Sequence, residues 1–275
     1  MKQVRPKKNL GQHFLVDLGI AQRIADTVDE PCAALPVLEV GPGMGVMTQY
    51  LAKKPRQLKV VEIDRESVAY LKETLFKEEK AKDSREAAII EGDFLRMDLK
   101  EVFGGRPFVL TGNYPYDISS QIFFKVIDNR DLIPCCTGMI QHEVAVRMAA
   151  QPGSKQYGIL SVLLQAWYDI DYLFTVPPDV FNPPPKVQSA VIRMTRNQTT
   201  TLGCDEQLFR RVVKATFNQR RKMLRVSLRQ LLPAPQELQP ATFDLTRRPE
   251  QLTLTQFVEL TNLVAAATTK PQAEE

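Results

Sequence analysis

The sequence has 275 residues, of which 44% are hydrophobic and 25% charged, a composition that is typical of a folded globular protein. This length allows one or two domains whose core needs neither disulfides nor metal, and the apolar stretches are shorter than the ~20 residues that cross a bilayer. The net charge is +4, but residues 1–10 hold four basic residues and no acid, and residues 205–230 hold eight basic residues against two acids. The remainder therefore carries a net −6. Such a distribution indicates either a polyanionic partner or a solvated helix face.

The first two thirds of the sequence alternate between helix and strand. The predicted elements are a helix capped by Asp17, strands at 37–40, 58–63, 88–91, 108–111 and 137–141, and helices at 44–53 and 65–77. This alternation predicts an α/β fold with a mainly parallel sheet that is covered by helices on both faces. In such a sheet, ligands bind beyond the carboxyl ends of the strands.

The composition changes in the last third. Residues 176–186 are too rich in proline for a helix or a central strand, so we expect an ordered loop or a linker there, after an apolar helix at 158–168. A last strand is predicted at 187–194, a polar connector at 197–203, helices at 205–216, 219–231 and 254–265, and a frayed tail from 266. We therefore predict two domains, 1–196 and an all-helical 204–275.

A glycine-rich turn follows the strand at 37–40. Gly41, Gly43 and Gly45 allow positive φ angles and a close approach of the backbone to a ligand. Val46 stands where the dinucleotide fingerprint GxGxxG requires its third glycine, which disfavours a nicotinamide or flavin cofactor. Taken alone, the turn could be merely a tight turn.

Two acidic residues end the next two strands. Glu62 lies 21 positions after Gly41, where an acid can accept hydrogen bonds from both ribose hydroxyls of an adenosine. Asp93 ends the third strand, where its carboxylate can accept from an adenine amino group. With the glycine turn, these residues indicate a nucleoside cofactor.

The fourth strand of this series ends in Asn113, Tyr114, Pro115 and Tyr116. An Asn-x-Pro sequence is most often a turn. Chemically, however, it offers the amide carbonyl of Asn113, the backbone carbonyl of Pro115 and the ring of Tyr116. An exocyclic aromatic amine is a poor nucleophile, and two carbonyl acceptors can orient its lone pair toward an electrophile while the tyrosine stacks on the base. Positioning would then supply the rate.

Several motifs occur together in a fixed order. They are LGQHFL (10–15), EVGPGMG (39–45), EGDF (91–94), NYPYDIS (113–119), FNPPPKVQS (181–189) and FNQRRKMLR (217–225). This set resembles the ribosomal RNA adenine dimethyltransferase family, in particular its small-subunit type, from about Lys7 to Leu263. The resemblance implies a Rossmann-like S-adenosylmethionine-dependent methyltransferase domain with a mainly parallel seven-stranded sheet, followed by a small C-terminal all-helical domain. It also implies dimethylation of the N6 amines of two adjacent adenosines in the 3′-terminal hairpin of 16S rRNA during small-subunit biogenesis.

The resemblance also implies roles for particular residues. The cofactor-binding residues would be His13, Leu15, Gly41, Gly43, Glu62, Asp93 and Asn113. The residues acting on the target adenine would be Asn113, Pro115, Tyr116 and Phe181, with Phe181 stacking on its second face. The RNA-binding residues would be Arg220, Arg221, Lys222 and Arg225. Three positions depart from the family pattern: Tyr114 replaces a small aliphatic residue, Asp117 an Asn or His, and Val226 an Asn.

Other functions are less favoured by these residues. The antibiotic-resistance relatives that modify large-subunit RNA share the chemistry, but residues 217–225 favour the small-subunit type. A non-catalytic ribosome-assembly factor would not need Glu62, Asp93 and Asn113 together, and Val46 argues against an oxidoreductase. The expected substrate is small-subunit rRNA within a 30S pre-ribosomal particle. We expect the protein to be a monomer that binds neither a membrane nor a metal. A basic N-terminus without an apolar region and four unpaired cysteines indicate a cytoplasmic location.

Overall fold

The structure is a computed structural model that describes residues 6–7, 12–76, 88–232, 238 and 243–269. The chain divides into two compact units. The sheet unit contains Met1–Ala145 and Asp169–Arg196, and the helical unit contains Val146–Tyr168 and Asn197–Glu275. The sequence predicted only the change of unit near residue 197, and it assigned Val146–Tyr168 to the first domain. Of the basic segment 1–10, only Pro6 and Lys7 lie within the described residues.

The strands of the described residues form a seven-stranded sheet and a short two-stranded ribbon. They are β1 (Phe14–Leu15), β2 (Val37–Val40), β3 (Leu58–Glu62), β4 (Ala88–Glu91), β5 (Val109–Gly112), β6 (Cys135–Gln141), β7 (Tyr168–Val176), β8 (Phe181–Asn182) and β9 (Ser189–Arg196). The large sheet has the order β4-β3-β2-β5-β6-β9-β7, and β1 pairs with β8. The five strands from β4 to β6 pair in parallel, and β9 is antiparallel to β6. The mainly parallel seven-stranded sheet is confirmed.

The helices are shorter at several places than the sequence predicted. They are α1 (Leu18–Asp26), α2 (Thr48–Leu51), α3 (Arg65–Thr74), α4 (Leu99–Val102), α5 (Ser119–Asp128), α6 (His142–Met148), α7 (Ile159–Gln165), α8 (Glu206–Asn218), α9 (Leu224–Ser227) and α10 (Leu254–Thr269). The cap on α1 is confirmed, because the Asp17 carboxylate accepts from the backbone N–H of Ile20 at 2.9 Å. The sequence predicted a frayed tail from residue 266, but helix α10 continues to Thr269.

One strand was not predicted, and one predicted helix is wrong. Strand β7 (Tyr168–Val176) follows the apolar helix that the sequence predicted at 158–168, and no element was predicted there beyond residue 168. The predicted helix at 219–231 is a turn followed by α9 and a single 3₁₀ turn. The turn is fixed from outside, because the N–H groups of Leu224 and Arg225 donate to the carbonyls of Arg247 and Leu245.

Helix α1 packs against the sheet and contributes to two hydrophobic clusters. Ala21 and Ile24 belong to one cluster with Met139 and Val191, whereas Ala25 belongs to the other. The helical unit has its own core, in which the ring of Phe217 stacks on Phe257 at 5.8 Å and meets Tyr157 edge-on at 6.0 Å. All four cysteines are free thiols, as expected. Within the described ranges, no helix has the length and apolar character that a membrane span requires.

The strand order determines where a ligand can bind. The chain runs from β2 outward to β3 and β4, and then returns to the other side of β2 to form β5 and β6. The loops that follow β2 and β5 therefore leave the sheet in opposite directions and open a crevice between them. The glycine turn follows β2, and Asn113 follows β5, so the predicted cofactor residues and target residues meet at this crevice.

Candidate active site

A cavity of about 270 Å³ occupies the crevice at the carboxyl ends of the parallel strands. Its lining comes from residues 12–15, 39–44, 46–47, 61–63, 92–95 and 113–118. These segments include His13, Leu15, Gly41, Gly43, Glu62, Asp93, Asn113, Pro115 and Tyr116. Nine of the ten residues predicted for the cofactor and the target adenine therefore line one cavity, and the exception is Phe181.

The glycine turn has the backbone conformation that the sequence predicted. Gly41 and Gly43 have φ angles of 66° and 55°, in the region that side chains disfavour. The N–H of Gly43 donates to Glu62 at 3.0 Å, so the turn after β2 is attached to the end of β3. A Cβ atom at Gly43 would lie 3.1 Å from the ring of Phe14, which leaves little room for any other residue.

Glu62 is held by two backbone donors at the floor of the cavity. Its Oε2 accepts from Gly43 and its Oε1 accepts from the N–H of Asp64 at 2.8 Å. Burial raises the pKa of the Glu62 carboxyl, and these backbone hydrogen bonds oppose that rise. The donors fix the orientation of the carboxylate, whose remaining lone pairs can accept from a pair of neighbouring hydroxyls.

Glu39 lines the same cavity, and the sequence analysis missed it. Its side chain lies in β2 with 1% of its surface exposed, and it accepts from the Thr48 hydroxyl at 2.7 Å. Burial and, to a lesser extent, the nearby charge of Glu62 raise the pKa of Glu39 to about 8, and the hydrogen bond from Thr48 opposes part of this rise. At neutral pH the carboxyl is therefore mainly protonated. A single carboxylate inside the otherwise apolar strand Val37–Val40 was the signal that could have revealed it.

The raised pKa of Glu39 makes the stability of the cofactor-free protein depend on pH. Between pH 4.5, the ordinary pKa of the group, and about 8, the unfolded chain is ionised at this position while the folded chain keeps its proton. The folded state then binds more protons, so its stability falls as the pH rises, with a slope of up to about 1.4 kcal/mol per pH unit. The thermal midpoint of the unaltered protein should therefore decline from pH 5 to pH 8. We expect Glu39→Gln to remove the part of this decline that comes from the Glu39 carboxyl.

A matched control separates Glu39 from the other carboxylates of the sheet. Glu91→Gln changes an exposed carboxylate at the end of β4, and it should leave the slope as it is in the unaltered protein. Thermal unfolding monitored by circular dichroism at a series of pH values makes the comparison. An unaltered slope in Glu39→Gln would show that Glu39 is ionised in the folded protein.

Asn113 is oriented by the N-terminal segment. Its amide nitrogen donates to the backbone carbonyl of His13 at 3.2 Å. Since a carbonyl can only accept, this contact fixes the NH₂ group toward His13 and directs Oδ1 the other way. The amide oxygen is thus the end of Asn113 that can accept from the amino group of a base.

Tyr116 and His13 form an aromatic edge of the cavity. Their ring centroids are 5.8 Å apart with an angle of 26° between the planes. His13 is held by its Nδ1 at 2.8 Å from the carbonyl oxygen of Pro183, and the Tyr116 hydroxyl is hydrogen-bonded to Ser189. Burial raises the pKa of Tyr116. The phenol therefore stays neutral, and its ring can stack on a base.

Phe181 is not among the residues that line the cavity, and its stacking on the target adenine stays a prediction. Its side chain is 3% exposed and belongs to the hydrophobic cluster under the cavity, together with Leu15 and Met47. Phe181 is drawn into this cluster because β8 pairs with β1, which sets Phe181 opposite Leu15. Leu15 and Met47 of this cluster also line the cavity, so the cluster that holds Phe181 adjoins the site.

Tyr114 departs from the family pattern and is accommodated by two glycines. Its side chain is fully buried, and its hydroxyl donates to the carbonyl of Thr137 at 2.8 Å. Cβ atoms at Gly112 and Gly138 would lie 3.3 and 2.8 Å from its ring. The ring therefore fills the space beside β5 and β6. Asp117, the second departure, is exposed at the cavity rim.

Asp93 lies at the far end of the cavity. Its Oδ1 accepts from the N–H of Leu95 at 2.9 Å, and its Oδ2 is 3.4 Å from the guanidinium of Arg96. These contacts orient the carboxylate next to Phe94, on the side of the cavity formed by the loop after β4. The glycine turn, Glu62 and Asp93 thus follow three neighbouring strands, in the order that suits the amino-acid part, the ribose and the base of one extended nucleoside ligand.

This fold and the order of these groups define a class, the Rossmann-like S-adenosylmethionine-dependent methyltransferases. The chain matches the family Ribosomal RNA adenine dimethylase over residues 3–266. It is 65% identical over 268 residues to the Ribosomal RNA small subunit methyltransferase A of Bacteroides thetaiotaomicron, covering 97% of each chain. The chain belongs to the ribosomal RNA adenine dimethylase family. It is an enzyme that methylates adenine in ribosomal RNA, with S-adenosylmethionine as methyl donor.

Two solved structures are similar to this one. A dimethyladenosine transferase from Plasmodium falciparum has a TM-score of 0.73 at 23% identity, and the match covers 90% of this chain and 96% of that chain. The 23S rRNA methyltransferase ErmE has a TM-score of 0.66 at 25% identity, with 92% and 99% covered. The fold is therefore shared with a dimethyladenosine transferase and with a 23S rRNA methyltransferase, and the sequence identity is far higher to the small-subunit relative from Bacteroides thetaiotaomicron.

Proposed function

We propose that this enzyme dimethylates the N6 amines of two adjacent adenosines in the 3′-terminal hairpin of 16S rRNA, within a 30S pre-ribosomal particle. The high identity to relatives named for the small subunit supports this substrate over the large-subunit RNA of the antibiotic-resistance type. The observation that carries the proposal is the cavity itself, in which the oriented amide of Asn113 meets the predicted cofactor residues. We further propose that the enzyme acts in the cytoplasm as a monomer.

The cavity residues fit S-adenosylmethionine, which supplies an electrophilic methyl group on its sulfonium when bound. The positive φ angles at Gly41 and Gly43 let the backbone approach the amino-acid part of the cofactor closely. Glu62 accepts from the ribose hydroxyls, and Asp93 accepts from the adenine amino group. His13 and Leu15 close the cavity from the N-terminal side.

Positioning by acceptors accounts for catalysis at the target base. The Oδ1 of Asn113 and the backbone carbonyl of Pro115 accept the two hydrogens of the N6 amine, so that the nitrogen lone pair points toward the methyl group. Tyr116 stacks on the extruded base, as enzymes that modify bases require. The new N–C bond would form as the methyl–sulfur bond breaks, with its electron pair left on sulfur. The nitrogen would then carry a positive charge and lose its proton to water, so no strong base is needed beforehand.

RNA selection is proposed for the basic turn of the helical unit, which we define as residues 220–225. The side chains of Arg221, Lys222 and Arg225 are exposed. Arg220 differs from them, since its guanidinium donates to the backbone carbonyl of Ser154 at 3.1 Å and is only partly exposed. We therefore assign phosphate contacts to the three exposed side chains and a mainly structural contact to Arg220.

A salt titration tests this assignment. Each phosphate contact contributes about 0.7–0.9 to the slope of log affinity against log salt concentration. Changing Arg221, Lys222 and Arg225 together to Ala should flatten the slope for 30S binding by roughly two to three units and leave the affinity for S-adenosylmethionine intact. Binding is measured with unmodified 30S particles at several salt concentrations.

The control makes an equal change of charge elsewhere. Lys53, Lys72 and Lys100 are exposed lysines of the sheet unit, away from the cavity lining, and their joint change to Ala should leave the slope within error. Equal flattening in both triple variants would mean that net charge rather than the basic turn binds the RNA. An unchanged slope in the first variant would remove the basic turn from the proposed interface.

One experiment tests both the RNA substrate and the methyl-transfer activity. Incubation with labelled S-adenosylmethionine and unmodified 30S or 50S particles, followed by mapping of the methylated bases, should give two dimethylated adenosines near the 3′ end of 16S rRNA. Label in 23S rRNA would favour the large-subunit reading, and binding of 30S particles without label would favour an assembly factor.

A further inference from the structure

Residues 12–15 form one wall of the cofactor cavity, and we call them the pocket wall. The wall is attached at its C-terminal side, where Phe14 and Leu15 pair with Asn182 and Phe181 of β8. The ring of His13 adds a contact with Pro183 at 2.8 Å. On this side, the wall is thus held by strand pairing within the sheet unit.

On the N-terminal side, the described residues attach the pocket wall to the buried carboxylate of Asp64, and Lys7 also pairs with the exposed Glu66 at 3.3 Å. Asp64 has a side chain that is 1% exposed, and Lys7 donates to its Oδ1 at 2.6 Å. The side chain of Gln12 donates to the other oxygen, Oδ2, at 3.3 Å. Lys7 and Gln12 also bind each other, because the Lys7 N–H donates to Oε1 of Gln12 at 2.9 Å. The ion pair therefore reaches the pocket wall through Gln12.

Asp64 joins this wall to the end of β3. Its N–H donates to Glu62, and its carboxylate also accepts from the N–H of Glu66 and from the Ser67 hydroxyl at the start of α3. Burial opposes ionisation of Asp64, but the hydrogen bonds from Lys7 and its neighbours overcome this and lower the pKa of the carboxyl. Asp64 is thus a charged anchor, fixed in place beside the residue that we assign to the ribose.

We propose that the Lys7–Asp64 ion pair is a positioning contact that holds the pocket wall against bound S-adenosylmethionine, and that its opening lets the cofactor leave. The proposal rests on the cofactor's occupying this cavity and on none of the roles assigned at the target base. Hydrogen bonds between charged groups are among the stronger ones, and because a third of the Lys7 side chain is exposed, salt can screen this pair. Loss of the pair should therefore speed cofactor release more than it slows cofactor entry.

The test is a dissociation-rate measurement on the full-length protein without RNA. Labelled S-adenosylmethionine is chased with an excess of unlabelled cofactor, and the remaining bound label is followed with time. Lys7→Met keeps most of the stem and removes the charge, and we expect it to raise the dissociation rate about tenfold, as the loss of one charge-assisted contact implies. Lys7→Arg should restore most of the retention.

Lys54→Met is a matched control in the same unit. Lys54 also binds two carboxylates, those of Asp26 and Asp29 at 2.9 and 2.6 Å, but it lies outside the cavity lining. We expect this variant to change the thermal midpoint without changing the dissociation rate. If both variants release the cofactor faster by the same factor, general destabilisation explains the effect and the proposal is overturned.

Two further measurements prevent an ambiguous result. Asp64→Asn keeps an oxygen that can cap α3. The double variant with Lys7→Met and Asp64→Asn should release the cofactor at nearly the same rate as either single variant, because both substitutions break the same ion pair. In the unaltered protein, the dissociation rate should rise with ionic strength. A rate in Lys7→Met within twofold of the unaltered protein, or a salt-independent rate, would overturn the proposal, whereas failure of the unaltered protein to bind cofactor would overturn the assignment of the cavity itself.

Discussion

Replacing Asn113 by alanine is expected to reduce the rate of methyl transfer by on the order of 10²–10³, the usual cost of removing one preorganised polar group from an active site. The amide nitrogen of Asn113 is committed to the carbonyl of His13, so its oxygen is already aimed before any substrate binds. Alanine removes an acceptor that orients the reacting amine. Because that contact is made with the target base, transfer should fall far more than the affinity for S-adenosylmethionine.

Single-turnover assays on unmodified 30S particles, together with calorimetric titration of the cofactor, make this comparison. Asn129→Ala is the matched control, since Asn129 also donates through its side chain to a backbone carbonyl, that of Lys125 at 2.9 Å, away from the cavity. It should transfer methyl groups at the unaltered rate. Near-native turnover in Asn113→Ala would contradict catalysis by positioning at this residue.

Glu62→Ala should weaken binding of S-adenosylmethionine at least about 30-fold. The carboxylate is proposed to accept from two ribose hydroxyls, and each hydrogen bond to a charged group contributes at least about 1 kcal/mol, so roughly 2 kcal/mol or more is lost. The change also leaves the N–H groups of Gly43 and Asp64 without their acceptor, and this loosens the glycine turn. Both effects act in the same direction on affinity.

Calorimetry at neutral pH measures the dissociation constant. Glu91→Gln provides the control, because Glu91 pairs with Glu62 in register between β3 and β4 but is not among the residues that line the cavity. Its affinity for the cofactor should be close to that of the unaltered protein. An affinity in Glu62→Ala equal to that of Glu91→Gln would remove Glu62 from the ribose site.

The sequence alone located most of the candidate site. Glycines after one strand, an acid at the end of the next, and a further acid and an asparagine at two later strand ends are local patterns. In a parallel sheet all carboxyl ends lie at one edge, so assigning these residues to strand ends was enough to bring them together. The same argument predicted α1 and its cap from Asp17, because a helix start depends on a few neighbouring residues.

Tertiary structure decided the features that depend on distant parts of the chain. Phe181 is buried because β8 pairs with β1. Residues 219–223 form a turn because carbonyls more than twenty residues later accept the N–H groups that follow it. Glu39 keeps its proton because packing around β2 excludes water. Burial, charge state and strand pairing are set by what lies across the fold, and a pattern of neighbouring residues does not contain that information.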